Sequence, residues 1–331
     1  MTVYGSIDLG GTTIAGMVAT ADQEILARRT IPTQAYEGPD AVLERVGTLL
    51  NDLARESGEA LEAVGIGLPG LLDLEEGVVE FLPNLYTHWR RVAVRSPLSA
   101  RVGCPVYVLN DARMATLGEL AFGRGRGVET MAFFTLGTGI GGGVVVNGDV
   151  HLGKLGAAGE LGHQTILPDG PRCGCGNRGC LEALASGPAI AAEGLRLLLS
   201  GQAPGLFDIV DGDPARVTPR EMAQAADAGD EAVREALVRA AETIGIGVAN
   251  VVSVLHPEMV VLGGSVAGIG TLLFETVRQV VRRRVGMFPT EGVQIEPSLL
   301  GDQAGAWGGI ALAARGGYPI HRGGARSSSI R

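Results

Sequence analysis

One local pattern occurs twice in this chain: an apolar run, a turn of glycine and threonine, and a second apolar run. The first copy comprises Val3–Ile7, the turn Asp8-Leu9-Gly10-Gly11-Thr12 and the run Thr13–Thr20. The second comprises Met131–Leu136, Gly137-Thr138-Gly139-Ile140-Gly141-Gly142-Gly143 and Val144–Asn147. Such self-similarity at half-chain distance predicts duplicated lobes facing each other across a central cleft, with two phosphate turns meeting there. A turn of this kind offers backbone N–H groups and a hydroxyl to an anion. Asp8, at the strand end, is placed to hold Mg²⁺ or its waters, because magnesium takes one or two carboxylates plus phosphate oxygens. Taken alone, the first copy also reads as an ordinary hairpin turn. A third glycine turn, Gly263-Gly264, follows the apolar run Met259–Leu262. It would admit a nucleotide base or its α-phosphate, or it would allow close helix–strand packing, and spacing alone weighs the two equally.

Strands and helices alternate along the rest of the chain, which predicts an α/β protein. A third strand, Glu24–Ile31, completes a meander with the first two. Apolar residues at helical spacing predict a helix over Pro39–Ser57. A strand over Ala63–Leu68 ends in Pro69-Gly70, and ligands of α/β sheets gather at such carboxyl ends. Residues 81–89 read as a single loop carrying Asn84 and Trp89 near the cleft. A strand over Val106–Leu109 delivers Asn110-Asp111 to a helix over Ala112–Phe122. Asp111 is then either an N-cap or a general base for phosphoryl transfer. Further helices are expected around 183–199, over 218–228, from an N-cap at Asp230 to Leu255, over 272–285 and over 304–314. Residues 201–214 read as an exposed loop, and a strand is expected over 293–295.

The stretch from Glu160 to Glu182 carries a different chemistry. His163 is followed by Cys173, Cys175 and Cys180, with glycines at 174, 176 and 179 between the thiols. Zinc takes four soft or borderline ligands at the corners of a tetrahedron, and one imidazole with three thiolates is a closed structural set. The glycines let the backbone fold tightly enough for the sulfurs to converge. A metal so held would fix Glu160 and Glu182 on either side, and rigid carboxylates suit a hydroxyl-rich ligand. The alternatives are reduced buried thiols and solvated surface acids. Cys104 reads as a small buried hydrophobe.

Composition bounds the function class. The 331 residues carry a net charge of -9, with 46% hydrophobic and 19% charged residues, and the sequence pI is near 5.2. That is a soluble globular chain without the basic excess that bulk nucleic-acid binding needs. No signal peptide is expected at the amino terminus. The longest uncharged run, Met131–Gly148, is broken by six glycines, so no membrane span is expected there. Cysteines accounted for by metal fit a reducing cytoplasm.

These motifs together resemble the ROK family (repressors, open reading frames, kinases), from about Tyr4 to Ala314. Asp8-Leu-Gly-Gly-Thr12 is similar to its first phosphate motif, Leu136-Gly-Thr-Gly139 to its second and Val261-Leu-Gly-Gly264 to its adenosine motif. Cys173-Gly-Cys175-Gly-Asn-Arg-Gly-Cys180-Leu-Glu182 matches its zinc signature. The resemblance implies an actin-like (ribonuclease H-like) ATPase fold, with a small lobe of residues 1–112 plus 303–316, a large lobe of 113–302 bearing the zinc loop, and a flexible tail, 317–331. It implies that Asp111 is the catalytic base and that Gly70, Asn84, Asn110, Asp111, Glu160, His163 and Glu182 bind sugar. It further implies that Asp8, Gly10, Gly11, Thr12, Gly137, Thr138, Gly139, Gly263 and Gly264 bind MgATP, and that His163, Cys173, Cys175 and Cys180 hold a structural Zn²⁺. His163 would then use one ring nitrogen for zinc and the other for sugar.

Repressing members of the family carry a helix-turn-helix ahead of the first phosphate motif, for which the residues before Asp8 leave no room. Ala157-Ala-Gly-Glu-Leu-Gly-His163 and Cys180-Leu-Glu-Ala-Leu-Ala-Ser186 look most like the family's glucokinases. The implied reaction is transfer of the γ-phosphate of ATP to the 6-hydroxyl of glucose by a cytoplasmic homodimer or homotetramer. Other hexoses (N-acetylmannosamine, fructose, mannose), a polyphosphate donor, or a non-catalytic sugar sensor are the alternatives. The chain departs from the glucokinase pattern at Arg113 and Met114, which bears on sugar specificity or the oligomer surface.

Overall fold

The apolar run that opens the chain forms β1 (Val3–Leu9), which turns at Gly10–Thr12 into β2 (Thr13–Thr20) and then β3 (Ile25–Pro32). The computed structural model describes residues 1–82, 87 and 89–318. It divides into two units, Met1–Asp111 with Gly309–Arg331, and Ala112–Gly308. The tail expected from 317 falls almost wholly outside the described residues.

In the first unit, α1 (Pro39–Ser57) leads to β4 (Ala63–Leu68), which pairs parallel to β1. A small antiparallel sheet of β5 (Leu71–Asp73), β6 (Val78–Leu82) and β7 (Trp89–Ala93) follows. Then come α2 (Arg95–Val102) and β8 (Val106–Asn110), which pairs parallel to β4. The main sheet runs β3-β2-β1-β4-β8. Its core is built by Val42, Val46, Leu49, Leu50 and Leu53 of α1 against Ile7, Ile14, Val18 and Ile66. These α1 positions fall at the helical period the sequence showed. The single loop expected over 81–89 is corrected at its ends. Phe81 and Leu82 close β6, and Trp89 opens β7 with its ring buried in the core. Each of these strands is five residues long, too short to show a clear period in the sequence. Asn84 itself lies outside the described residues. Cys104 is half-buried rather than buried.

The second unit repeats the plan. It takes in α3 (Asp111–Phe122) from Ala112 onward, then β9 (Met131–Leu136), β10 (Ile140–Val146) and β11 (Asp149–Val150). Helices α4 (Leu181–Ala185), α5 (Gly187–Leu199), α6 (Pro204–Ile209), α7 (Pro219–Asp227) and α8 (Glu231–Leu255) follow. The fold closes with β12 (Met259–Gly263), α9 (Thr271–Arg284), β13 (Gln294–Pro297) and α10 (Ala304–Ala314). The sheet order is β11-β10-β9-β12-β13, again an antiparallel meander continued by two parallel strands. Only 137–139 of the second glycine run is a turn, and Ile140–Gly143 belongs to β10. Its glycines strip the strand so that neighbours approach closely: a Cβ on Gly141 would stand 2.9 Å from that of Ala112, and one on Gly142 would stand 2.8 Å from Leu161.

The exposed loop expected over 201–214 contains α6, started by Pro204 and anchored by buried Leu206 and Val210. Asp230 caps α8, accepting from Val233 N–H at 3.3 Å, and also holds Leu206 N–H at 3.1 Å. By length and composition α8 is apolar enough to cross a membrane, but Val233, Leu237, Ile244, Val248 and Val252 pack it into this unit's core.

Candidate active site

In the first unit the glycine-threonine turn after β1 is built by its neighbours. Gly10 N–H donates to Thr13 O at 2.8 Å. Thr33, fully buried, clamps both sides of the turn: its hydroxyl donates to Gly10 O at 2.8 Å and its N–H to Thr12 O at 2.8 Å. Arg45 in turn donates to Thr33 O at 2.7 Å. Thr33 was not singled out by the sequence, and only its place directly after β3 marks it. At the carboxyl ends of β4 and β8, the structure brings together two expected sugar residues. Asn110 Nδ2 donates to Gly70 O at 3.2 Å. Gly70 has φ +85, and a side chain there would meet the Phe81 carbonyl oxygen, so only glycine serves.

Asp111 follows directly as the first residue of α3, with its charge acting on Asp8. Burial first, and the Asp111 charge second, push the Asp8 carboxyl from its ordinary 3.8 up to about 7. A desolvated carboxyl beside a like charge is relieved by a cation.

In the second unit the four expected metal ligands, His163, Cys173, Cys175 and Cys180, converge with their ligand atoms all within 4.8 Å of one another. His163 Nδ1 lies 3.6 Å from Cys173 Sγ, and Cys175 Sγ lies 3.7 Å from Cys180 Sγ. A zinc tetrahedron with bonds of about 2.3 Å to sulfur and about 2.0 Å to nitrogen has edges of roughly 3.5 to 3.8 Å. The donor set therefore fits zinc in number, type and spacing. Burial pushes the Cys173 thiol up to about 12 and raises that of Cys180, whereas the backbone at Asn177 lowers that of exposed Cys175. Two thiols that resist ionisation call for a cation to hold them as thiolates.

The acids beside this cluster are held in different ways. Glu160 Oε1 accepts from Arg113 Nη2 at 2.7 Å, while its Oε2 lies 3.9 Å from His163 Nε2. The imidazole thus turns one nitrogen to the sulfurs and the other to Glu160. Glu182 sits in the first turn of α4. Its Oε2 accepts from Ile140 N–H at 2.9 Å and its Oε1 lies 3.6 Å from Cys173 Sγ. It therefore ties the second glycine-threonine turn to the thiol cluster, across 42 residues of chain that no local pattern spans. That turn is closed by Gly137 N–H on Gly139 O at 2.9 Å, and Gly187 N–H holds Gly137 O at 2.8 Å. A Cβ on Gly139 would lie 2.5 Å from the Glu182 carboxylate. At the third turn, Gly264 has φ +83 and a Cβ there would lie 2.7 Å from the Leu136 carbonyl carbon, so close packing by itself requires this glycine.

Residues 4–315 match the family model described as ROK family. This chain belongs to the ROK family. Its duplicated sheets are accordingly those of the actin-like ATPase fold. A ROK family glucokinase from Streptomyces griseus, solved in complex with glucose and AMPPNP, aligns with a TM-score of 0.83 at 32% identity, covering 95% of this chain and 99% of that one. The glucokinase of Thermotoga maritima is 37% identical over 278 residues, 83% of this chain and 86% of the relative. A xylose repressor from Caldicellulosiruptor bescii is 32% identical over 309 residues, 92% of this chain and 76% of the repressor.

Proposed function

We propose that this ROK protein is a hexose kinase that transfers the γ-phosphate of ATP to the 6-hydroxyl of glucose. The observation that most supports this reading is the Asp8–Asp111 pair, a desolvated carboxylate beside a carboxylate at a strand end, in a chain similar to glucokinases over most of its length. The sugar oxygen attacks the γ-phosphorus and its proton passes to Asp111. The bond from that phosphorus to the bridging oxygen breaks, and ADP leaves with the electron pair. Gly10–Thr12 and Gly137–Gly139 supply N–H groups and hydroxyls to the phosphates, and Gly263-Gly264 flanks the nucleoside. Asn110, Glu160, His163 and Glu182 take the sugar hydroxyls, with Gly70 and Asn84 beside them.

Magnesium bound with ATP would bring positive charge to the phosphate oxygens, and Asp8 is the residue to hold it. His163, Cys173, Cys175 and Cys180 would hold zinc, whose part is to fix the segment carrying Glu160. The setting is the cytoplasm, with the chain assembled as a homodimer or homotetramer.

Asp111→Asn tests the reading. Turnover of glucose and MgATP is expected to fall by about 10²- to 10⁴-fold with the fold intact by circular dichroism. Near-normal turnover would overturn the assignment. Similarity to a xylose repressor favours a second reading, a sugar sensor without catalysis. Release of ADP on adding glucose separates the two.

A further inference from the structure

Arg113 is fully buried, and its guanidinium donates into one short segment of chain. Nε donates to Ala158 O at 2.7 Å, and Nη2 donates to Ala157 O at 2.8 Å and to Glu160 Oε1 at 2.7 Å. The Glu160 side chain is 48% exposed, whereas that of Arg113 is 2% exposed. The pair is therefore asymmetric: the arginine is anchored in the interior and the carboxylate reaches out from it. A planar guanidinium donates in fixed directions, so two consecutive carbonyls and one carboxylate oxygen on its edge fix each other's positions. With Oε1 engaged, Glu160 cannot rotate freely, and its Oε2 is turned to His163 Nε2. Arg113 stands two residues beyond Asp111, in the same first turn of α3.

We propose that Arg113 is a positioning residue for sugar recognition: by holding Glu160 Oε1 and the Ala157–Ala158 backbone, it aims Glu160 Oε2 at one hydroxyl orientation and so sets which hexose epimer is preferred. The proposal rests on Glu160 and His163 being sugar ligands. A lysine cannot replace the contact set, because an ammonium is a point charge without the fork.

The test is steady-state kinetics of wild type, Arg113→Gln, Glu160→Gln and the double variant, with glucose and mannose as acceptors. Arg113→Gln is expected to raise the KM for glucose by about 10- to 100-fold, as small misplacements of substrate-positioning groups do, while the KM for ATP stays within about two-fold. The preference between the two epimers shrinks in parallel. In the Glu160→Gln background the same change is expected to cost little further, because the contact it acts through is already weakened. Arg113→Lys serves in the same cycle if the glutamine variant fails to fold, and is expected to raise the glucose KM in the same direction.

Additive losses in the cycle, equal rises in both KM values, or failure of both Arg113 variants to fold would overturn the proposal. Wild type that turns over glucose while Arg113→Gln leaves the glucose KM and the epimer preference unchanged would overturn this proposal alone. Wild type that makes no ADP with any hexose would overturn the kinase reading, and this proposal with it.

Discussion

A carboxylate that burial makes costly to ionise contributes a stability that depends on pH. Asp8 is such a group, held up to about 7 by burial and by the Asp111 charge. Because its folded value lies above the ordinary 3.8, the stability it contributes is fully present below that value and is lost as pH rises through about 7. Thermal melts of the ligand-free protein between pH 4 and 8 are therefore expected to show a component falling with pH that Asp8→Asn removes. MgATP should flatten the same component, because a bound cation favours the charged form. A pH slope unchanged by Asp8→Asn would contradict this account. At this scale the sequence was readable where chemistry is local. Asp8 announced itself by the glycines after it, and the thiols by their mutual spacing. Thr33 on Gly10 and Thr12, Glu182 on Ile140 and Arg113 on Glu160 join residues far apart in the chain, and no local pattern encodes such pairs.

Among elements, the segment 163–180 has little regular structure of its own and carries the four side chains that could hold a metal. Chelation should release an ion together with three newly reactive thiols beyond half-buried Cys104, and it should lower glucose affinity before the sheets unfold. Thiol titration with metal analysis on the same sample checks this, and full retention of glucose affinity after complete metal loss would contradict it. The third glycine turn answers to backbone geometry instead. Gly264→Ala puts a side chain into a conformation suited to glycine and against Leu136, and is expected to destabilise the protein by roughly 1–3 kcal/mol in denaturant melts. The long elements were legible because their periods run for many residues, as in α1 and α8. Strands β5, β6 and β7 and helix α6 were not, since none exceeds six residues and so none completes enough periods to register.

For the whole molecule, family membership narrows the chemistry more than it narrows the sugar. A panel of glucose, mannose, fructose and N-acetylmannosamine against ATP and polyphosphate is expected to give the highest kcat/KM with glucose and ATP. Another sugar or donor ahead by ten-fold or more would move the assignment within the kinases. The two units also share a helix. Gly308 of α10 packs on the Met114 backbone in one unit, and Gly309 packs on Ser6 and Gly65 in the other. Neither half of the protein can finish its packing until the ribosome has made α10, so no stretch of nascent chain that stops before Ala304 holds a complete half. A chain stopped at Gln303 would leave two unfinished halves rather than one sound half and one lost.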